Sequence, residues 1–292
     1  MGIKALNIFS LKYRFKLLKY IMAVKTIDNI PEPLKKTYDL ISKLENESNV
    51  FFRKKRKIHF SYAIENKIYQ FSINEFSSDA MVFNQIIIKE EYKVIINLFK
   101  KFNIEPKNII DAGANIGLTS MYFTHFFPET FILSIEPSKS TFQDLNENIN
   151  NNQFTNIKVL NKGLWNKETF LKADYSFRDR QSWAFRLVET TDLKNALFET
   201  TTVPLLIKNF NLSTIDFLKI DIEGGEKQVF SGDNHDWLDI VSIIAIEIHD
   251  EFNCKENIEN ILIKKGFEIS YSGELTIGVN QKITDYQKKH SQ

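Results

Sequence analysis

The spacing of hydrophobic and polar positions changes character twice along this chain. Near the N-terminus Leu11, Phe15, Leu18 and Met22 recur at helical spacing, with Lys12, Lys16 and Lys19 on an adjoining stripe. No acidic residue comes before Asp28, so this segment is basic as well as amphipathic. The plainer reading is a helix packed on its own domain with a solvated lysine face; the other is contact with an anionic membrane surface or a partner. Pro31 and Pro33 break the pattern, and a second helix is predicted over Leu34–Leu44. From Val50 to Phe76 the period falls to two. Ile58, Phe60, Tyr62 and Ile64 alternate with other residues, Ile68, Tyr69 and Phe71 do so less strictly, and Glu65-Asn66-Lys67 lies between, which predicts a hairpin. Ile86–Phe102 predicts a helix leading into the core.

After residue 105 strands and helices alternate. Strands are predicted at Asn108–Asp111, Phe131–Glu136, Ile157–Asn161, Asp216–Ile222 and Val241–Ile248, and helices at Leu118–Phe127, Thr141–Asn151, Glu226–Ser231 and Lys255–Lys265. This alternation predicts a doubly wound α/β fold, a parallel sheet covered on both faces. Phe267–Ser272 and Glu274–Val279 flank Gly273 and predict a terminal hairpin. The chain thus divides into an amphipathic helical extension (1–48), a hairpin and linking helix capping the core (49–104), and a ligand-binding domain (105–292).

Composition narrows the function classes. The 292 residues, 43% hydrophobic and 26% charged, describe a soluble globular protein. The net charge of +1 offers no global attraction for nucleic acid, and the Arg53–Lys57 cluster lacks the interleaved aromatic platform that would make it a nucleic-acid patch. One cysteine, Cys254, excludes a disulfide framework, a cysteine-rich zinc site and a Cys-x-x-Cys redox pair, so a reducing, cytoplasmic setting is expected. The longest apolar run, Ile240–Ile246, is strand-sized and too short for a membrane span. Basic residues interrupt the apolar N-terminus, and no small-residue cleavage site marks it as a secretory signal.

The chemistry begins at Asn108–Gly117, where an apolar strand runs into Asp111-Ala112-Gly113-Ala114-Asn115-Ile116-Gly117 and then a helix. A turn of this kind beside a helix N-terminus forms a site for a charged, nucleotide-like ligand. Asn115 stands where the dinucleotide fingerprint wants its second glycine, and no Gly-Lys-Ser/Thr follows as in a P-loop. An acidic residue just before the glycines suits a positively charged ligand such as S-adenosylmethionine (SAM). The second strand ends in Glu136, 25 residues beyond Asp111, where a carboxylate can accept both ribose hydroxyls of a nucleoside.

Charges close the far strands too. Lys219, Asp221 and Glu223 would share one side of an extended segment, a costly arrangement unless paired or at the strand's open end. A salt bridge between Lys219 and a carboxylate is the bland alternative. Glu247 and His249 again share a face. If the fourth and fifth strands are neighbours, Asp221, Glu223, Glu247 and His249 converge at one sheet edge. His249 is then a candidate general base, and the same cluster suits a divalent metal such as Mg²⁺ held through oxygen ligands.

Asp111–Gly117, Ile135-Glu136-Pro137, Asp216–Glu226, Glu247-Ile248-His249 and the earlier Asp79–Tyr92 stretch together resemble the FkbM family of SAM-dependent methyltransferases. The resemblance covers roughly residues 75–265. The family pattern commonly has alanine where Gly225 stands. The resemblance implies a Rossmann-like class I methyltransferase sheet of five parallel strands plus a C-terminal hairpin. It also implies SAM held by Asp111, Gly113, Ala114, Asn115 and Gly117, with Glu136 on the ribose and Asp221 near the methionine end. Trp183 and Glu223 would line the acceptor side. The implied activity is O-methylation of a hydroxyl of a sugar, polysaccharide precursor or secondary metabolite; for such a step the residues themselves offer His249 or Glu247 to take the proton and Asp221 to position the acceptor or SAM. Two alternatives remain, an NAD(P)-dependent oxidoreductase and a SAM-binding module without catalysis. A DNA-base methyltransferase is disfavoured, because no Pro-Pro motif follows the fourth strand and Cys254 follows Asn253 rather than a proline.

Overall fold

A computed structural model describes residues 5–9, 11–21, 30–45, 51–174, 186–232, 234–249, 253–282 and 285. In chain order the N-terminal part comprises α1 (Leu11–Ile21), α2 (Glu32–Leu44), β1 (Phe51–Lys54), β2 (Lys57–Ile64), β3 (Lys67–Asn74), α3 (Asp79–Phe83) and α4 (Lys93–Phe102). The core follows as β4 (Asn108–Ala112), α5 (Leu118–Phe126), β5 (Phe131–Ile135), α6 (Lys139–Asn151) and β6 (Ile157–Leu160). Four short strands come next: β7 (Gly163–Leu164), β8 (Phe170–Asp174), β9 (Arg186–Thr190) and β10 (Phe198–Thr201). Then come α7 (Val203–Phe210), β11 (Ile215–Ile220), α8 (Glu226–Val229), β12 (Val241–Glu247), α9 (Lys255–Lys264), β13 (Phe267–Ser272) and β14 (Leu275–Asn280).

The main sheet runs β13-β14-β12-β11-β4-β5-β6. Neighbours from β12 to β6 pair in parallel, and β14 pairs antiparallel with both β12 and β13. The terminal hairpin therefore adds to the sheet edge, with its second strand wedged inside its first. This is the class I methyltransferase arrangement of a Rossmann-like sheet. Successive side chains of a strand leave on opposite faces, so each central strand feeds two cores. Ile109, Ile132, Phe217 and Ile243 join the core under the N-terminal elements and α5. Their neighbours Ile110, Leu133, Leu218 and Ile244 join the core under α7, α8 and α9.

Three elements differ from expectation. The predicted Ile86–Phe102 helix is broken: α3 passes into a π-helical turn at Asn84–Ile88, Glu90 is left-handed at φ 53°, and only then does α4 begin. In α1 Leu17 is fully buried and Leu18 is 37% exposed, so the packed face runs through Tyr13, Leu17 and Tyr20 rather than through Leu18. A helix docked along the aromatic residues of its own domain uses those rings as its apolar stripe. The four-stranded sheet β7-β10-β8-β9 was not anticipated, because strands as short and polar as Phe198–Thr201 carry no readable period. Among the described residues no helix is long and apolar enough to cross a membrane.

The expected hairpin forms as β2–β3, but its turn is shorter than expected, since Lys67 already belongs to β3 and pairs with Ile64 across Glu65-Asn66. Its basic cluster is partly absorbed by ion pairs. Arg53 grips the buried Glu75 with two hydrogen bonds of 2.8 and 2.6 Å, and Lys57 pairs with Asp144 and Glu147 of α6. The hairpin also docks through Asn148, a wholly buried residue of α6. Its side chain accepts from the Ser72 amide (2.8 Å) and donates to the carbonyls of Ser72 (3.2 Å) and Ile116 (2.9 Å). One amide thus joins the N-terminal sheet, α6 and the turn that precedes α5. Asn148→Ala strands these buried backbone groups, and we expect a loss of ~2–4 kcal/mol, read as a lowered denaturant midpoint at unchanged slope.

Candidate active site

Strand order reverses at β4: the chain steps outward through β5 and β6, then returns to place β11 on the other flank. A crevice opens at the carboxyl ends of such a pair. The turn leaving β4 is shaped for close approach. Gly113 has φ +80°, and a Cβ there would lie 1.6 Å from the Asp221 carbonyl oxygen, so β4 and β11 can leave the sheet side by side only with glycine at this position. Asn115 is left-handed at φ 50°, a conformation asparagine tolerates better than most residues. Gly117 caps α5 at φ +89°, and a Cβ there would crowd Leu145 of α6 at 2.6 Å.

Gly113 and Asn115 stay partly open, whereas Ala114 and Gly117 are buried. Both the Gly113 and Ala114 amides donate to the Ile135 carbonyl, at 3.0 and 2.9 Å. Glu136 bridges the turn to the next helix. Its Oε2 accepts from the Asn115 amide at 3.1 Å and its Oε1 from the Ser138 amide at 2.8 Å. Burial pushes the Glu136 carboxyl up, with these two hydrogen bonds opposing. Each oxygen keeps a lone pair, so the group can accept two further donors.

Beneath the turn lies a buried ion network. The Lys219 ammonium, 3% exposed, donates to the Gly113 carbonyl at 2.8 Å and pairs with Asp111 at 3.2 Å and Asp221 at 3.4 Å. Burial opposes its charge, but its carboxylate neighbours, Asp111 foremost, hold it well above the ordinary lysine range. Asp111 is 1% exposed and also accepts from Ser120 of α5 at 2.7 Å. It therefore sits under the turn rather than on its open surface. Asp221, half-buried, reaches from the network into the crevice.

The ends of β11 and β12 bring the other carboxylates together. Asp221, Glu247 and His249 each offer a ligand atom within 4.8 Å of the others, a spacing that would accommodate a cation. Glu223 lies beyond the strand, which ends at Ile220 instead of running on to Ile222. It is left-handed at φ 53°, its side chain is 87% exposed, and its Oε2 stands 3.5 Å from His249 Nε2. His249 Nε2 also faces Glu247 at 3.9 Å, while its Nδ1 meets the buried Glu226 at 3.1 Å. Burial alone would lower the His249 pKa; the hydrogen bond to Glu226 and the surrounding carboxylates raise it instead. Burial, then Asp221, push the Glu247 carboxyl up to about 7.

Three contributors escaped sequence reasoning. In the sequence pattern Glu226 marks only a helix start. Glu91, aimed by the irregular turn before α4 and held by Gln85 at 2.7 Å, faces Asp221 and Glu274 closely enough that burial and these charges raise its pKa. Glu274, at the β13–β14 turn, acts on Glu247 as well. A carboxylate delivered by a helix break or a hairpin turn carries no local signal of its role. Trp183 lies outside the described residues.

The model of the methyltransferase FkbM domain matches residues 111–269, more than half of the chain, from the β4 turn through β13. The chain belongs to the FkbM methyltransferase family. Two fungal relatives each match 56% of the chain. Methyltransferase 1 of Beauveria bassiana is 24% identical over 180 residues, spanning 56% of this chain and 72% of that protein. Methyltransferase sdnD of Sordaria araneosa is 28% identical over 200 residues, spanning 56% and 76%. Among solved structures, an FkbM methyltransferase from Methylobacillus flagellatus superposes with a TM-score of 0.41 at 15% identity, covering 60% of this chain and 44% of its own. The N-terminal domain of human METTL16 gives 0.44 at 11% identity, covering 91% of each chain.

Two predictions follow from this methyltransferase crevice. Gly113→Ala forces β4 from β11, and nucleotide-ligand binding measured by calorimetry should be lost together with ~2 kcal/mol or more of stability. The second concerns pH. Native Glu247 keeps its proton to about 7, whereas the unfolded chain releases it in the ordinary carboxylate range. The native state therefore binds more protons across that window, and stability falls as pH rises through it. Glu247→Gln should raise Tm by about 2–4 °C at pH 8, the equivalent of ~1 kcal/mol in a chain of this size, and leave Tm unchanged at pH 4.

Proposed function

We propose that this methyltransferase uses SAM to methylate a hydroxyl of a sugar, polysaccharide precursor or similarly polyhydroxylated metabolite. Three features support SAM as the donor. Gly113 and Asn115 of the turn stay partly open, Glu136 has two acceptor sites spare for ribose hydroxyls, and Asp221, Glu247, Glu91 and Glu274 set a negative potential where a sulfonium and an amino group would lie. Lys219 pairs with Asp221 but divides its charge between it, Asp111 and the Gly113 carbonyl.

When bound, SAM supplies an electrophilic methyl group and leaves as a neutral thioether. The chain's own task is alignment and proton removal. Asp221 and Glu247 are placed to accept hydrogen bonds from hydroxyls, which suits an acceptor with neighbouring hydroxyls and repels a phosphorylated one. A free hydroxyl is a poor nucleophile at neutral pH. His249 Nε2 takes its proton as the oxygen gains the methyl, leaving an imidazolium that the surrounding carboxylates stabilise. The observation that carries this reading is a half-buried imidazole at the crevice mouth, held by a carboxylate on one nitrogen and facing the crevice with the other. The close triplet of Asp221, Glu247 and His249 supports one other route, in which a divalent cation lowers the hydroxyl pKa.

The test is transfer of radiolabelled methyl from SAM to fractionated glycans, lipids and small molecules of the source cells. Label should enter a neutral, polyhydroxylated fraction, and His249→Ala should cut turnover roughly 10²–10⁴-fold, the usual span for a general base. An unchanged rate in that variant removes His249 as base. Loss of turnover in EDTA restored by Mg²⁺ selects the cation route. Tight SAM binding without transfer to any fraction supports the non-catalytic alternative, and binding of NADH in place of SAM supports an oxidoreductase.

A further inference from the structure

Glu226 lies out of reach of the solvent, and the chemistry proposed above uses it only as the carboxylate that holds the His249 ring. It is fully buried at the first residue of α8. Its Oε1 accepts from the Ile222 amide at 3.3 Å and the Gly224 amide at 3.2 Å, and meets His249 Nδ1 at 3.1 Å. Its Oε2 is buried with no hydrogen-bond partner. A carboxylate with one oxygen overused and the other idle contributes poorly to stability, so packing alone does not explain it.

The geometry points to Glu226 as the positioning residue that fixes the tautomer and orientation of His249, leaving the Nε2 lone pair facing the acceptor. This inference rests on the proposed role of His249. The argument turns on which atoms can donate. A backbone amide only donates, so the Ile222 and Gly224 contacts commit Oε1 to accepting. The His249 nitrogen 3.1 Å away must then carry a hydrogen, because a bare Nδ1 would set lone pair against lone pair. In neutral imidazole a protonated Nδ1 leaves Nε2 bare. Nε2 faces Glu223 at 3.5 Å and Glu247 at 3.9 Å at the crevice mouth, contacts too long to demand a hydrogen as the 3.1 Å contact at Nδ1 does. The opposite tautomer would place its hydrogen between Nε2 and those carboxylates and abolish the base. The buried carboxylate also stabilises the imidazolium once the proton has arrived, since it neither moves nor hydrates.

The local sequence is built for this contact. Gly224 sits at φ +89° and lets the chain reverse after β11, so that Glu226 folds back over the loop it follows. Gly225 has ordinary backbone angles, and a Cβ there would meet the flexible end of Ile222 at 3.0 Å. The length of Glu226 matters as well, because an aspartate one methylene shorter cannot span both the loop amides and His249.

The deciding measurement needs no acceptor. Long-range ¹H–¹⁵N correlation of ¹⁵N-histidine-labelled full-length protein, at a pH where His249 is neutral, reports which ring nitrogen carries hydrogen. His249→Asn identifies the signal. We expect the Nδ1–H form in the native chain and a mixture, or the Nε2–H form, in Glu226→Ala. Finding Nε2–H in the native chain, or an unaltered tautomer in a folded Glu226→Ala variant, overturns the proposal. If Glu226→Ala does not fold, Glu226→Gln and Glu226→Asp replace it. Glutamine keeps the acceptor but not the charge and should retain Nδ1–H, whereas aspartate should lose it.

Turnover with the methyl-accepting fraction supplies the functional readout. Glu226→Ala should lower kcat about 10²-fold and Glu226→Gln about 10-fold, with the Kd for SAM within 2-fold of native, magnitudes typical of losing part of a general base. A loss confined to KM or to SAM affinity overturns the positioning role. If His249→Ala remains fully active while the tautomer still depends on Glu226, the base assignment fails and the positioning stands.

Discussion

A buried ammonium holds this molecule's site in shape. Lys219 projects from a central strand whose residues are all buried, and its charge survives there only because Asp111, Asp221 and the Gly113 carbonyl surround it. The network runs on from Asp111 to Ser120 and from Ser120 to Ser134, each at 2.7 Å. One chain of polar contacts thus crosses β11, β4, α5 and β5, the elements that flank the crevice. Breaking it at any point leaves a buried charge or hydroxyl without a partner, so the geometry of the turn at Gly113 is over-determined. Tyr92, fully buried near Lys219, closes the network from the linking segment.

The N-terminal elements are bound to this arrangement rather than appended to it. Asn148 connects the β2–β3 hairpin to the carbonyl of Ile116, inside the glycine turn itself. The irregular stretch from α3 to α4 delivers Glu91 to the acidic side of the crevice and Tyr92 to its floor. A π-helical turn followed by a left-handed Glu90 is an expensive way to join two helices, and such interruptions recur where backbone must aim a side chain. Here the aimed side chain is Glu91.

Much of this was legible in the chain. Apolar runs such as Ile109-Ile110 and Ile243-Ile244 exposed the two-faced sheet, because a strand buried on both sides has no polar alternation to hide it. The glycine turn, Glu136 and the charges after β11 and β12 stood out because each breaks an apolar pattern at a strand end. Sequence reading placed Asp111 among cofactor contacts and left a Lys219 salt bridge as the alternative; the structure places both residues in one buried pair. Periodicity could not separate these roles, since a charge at the open end of a strand and a charge paired beneath it look alike. Glu226 and Glu91 were illegible for a different reason. Their positions depend on how a turn reverses the chain, and residue spacing carries no record of direction after a left-handed residue.

An acidic crevice poses a problem for the proposed reaction. A carboxylate cluster that attracts a sulfonium also stabilises it, and stabilising a charged reactant more than a transition state with dispersed charge slows the step. The crevice contains its own limit on that effect. Burial, then the acidic neighbours, push Glu247 up to about 7, so the cluster carries less negative charge near neutrality than its composition suggests. Asp221 lies beside Lys219, and Glu226, Glu223 and Glu247 surround His249. Binding then draws on a modest potential, while the fixed charges face the imidazole, where positive charge develops as the proton is taken. Once the methyl has left, the spent donor is neutral and that potential no longer retains it. The same carboxylates thereby favour entry of a cation, tolerate its reaction and release its product.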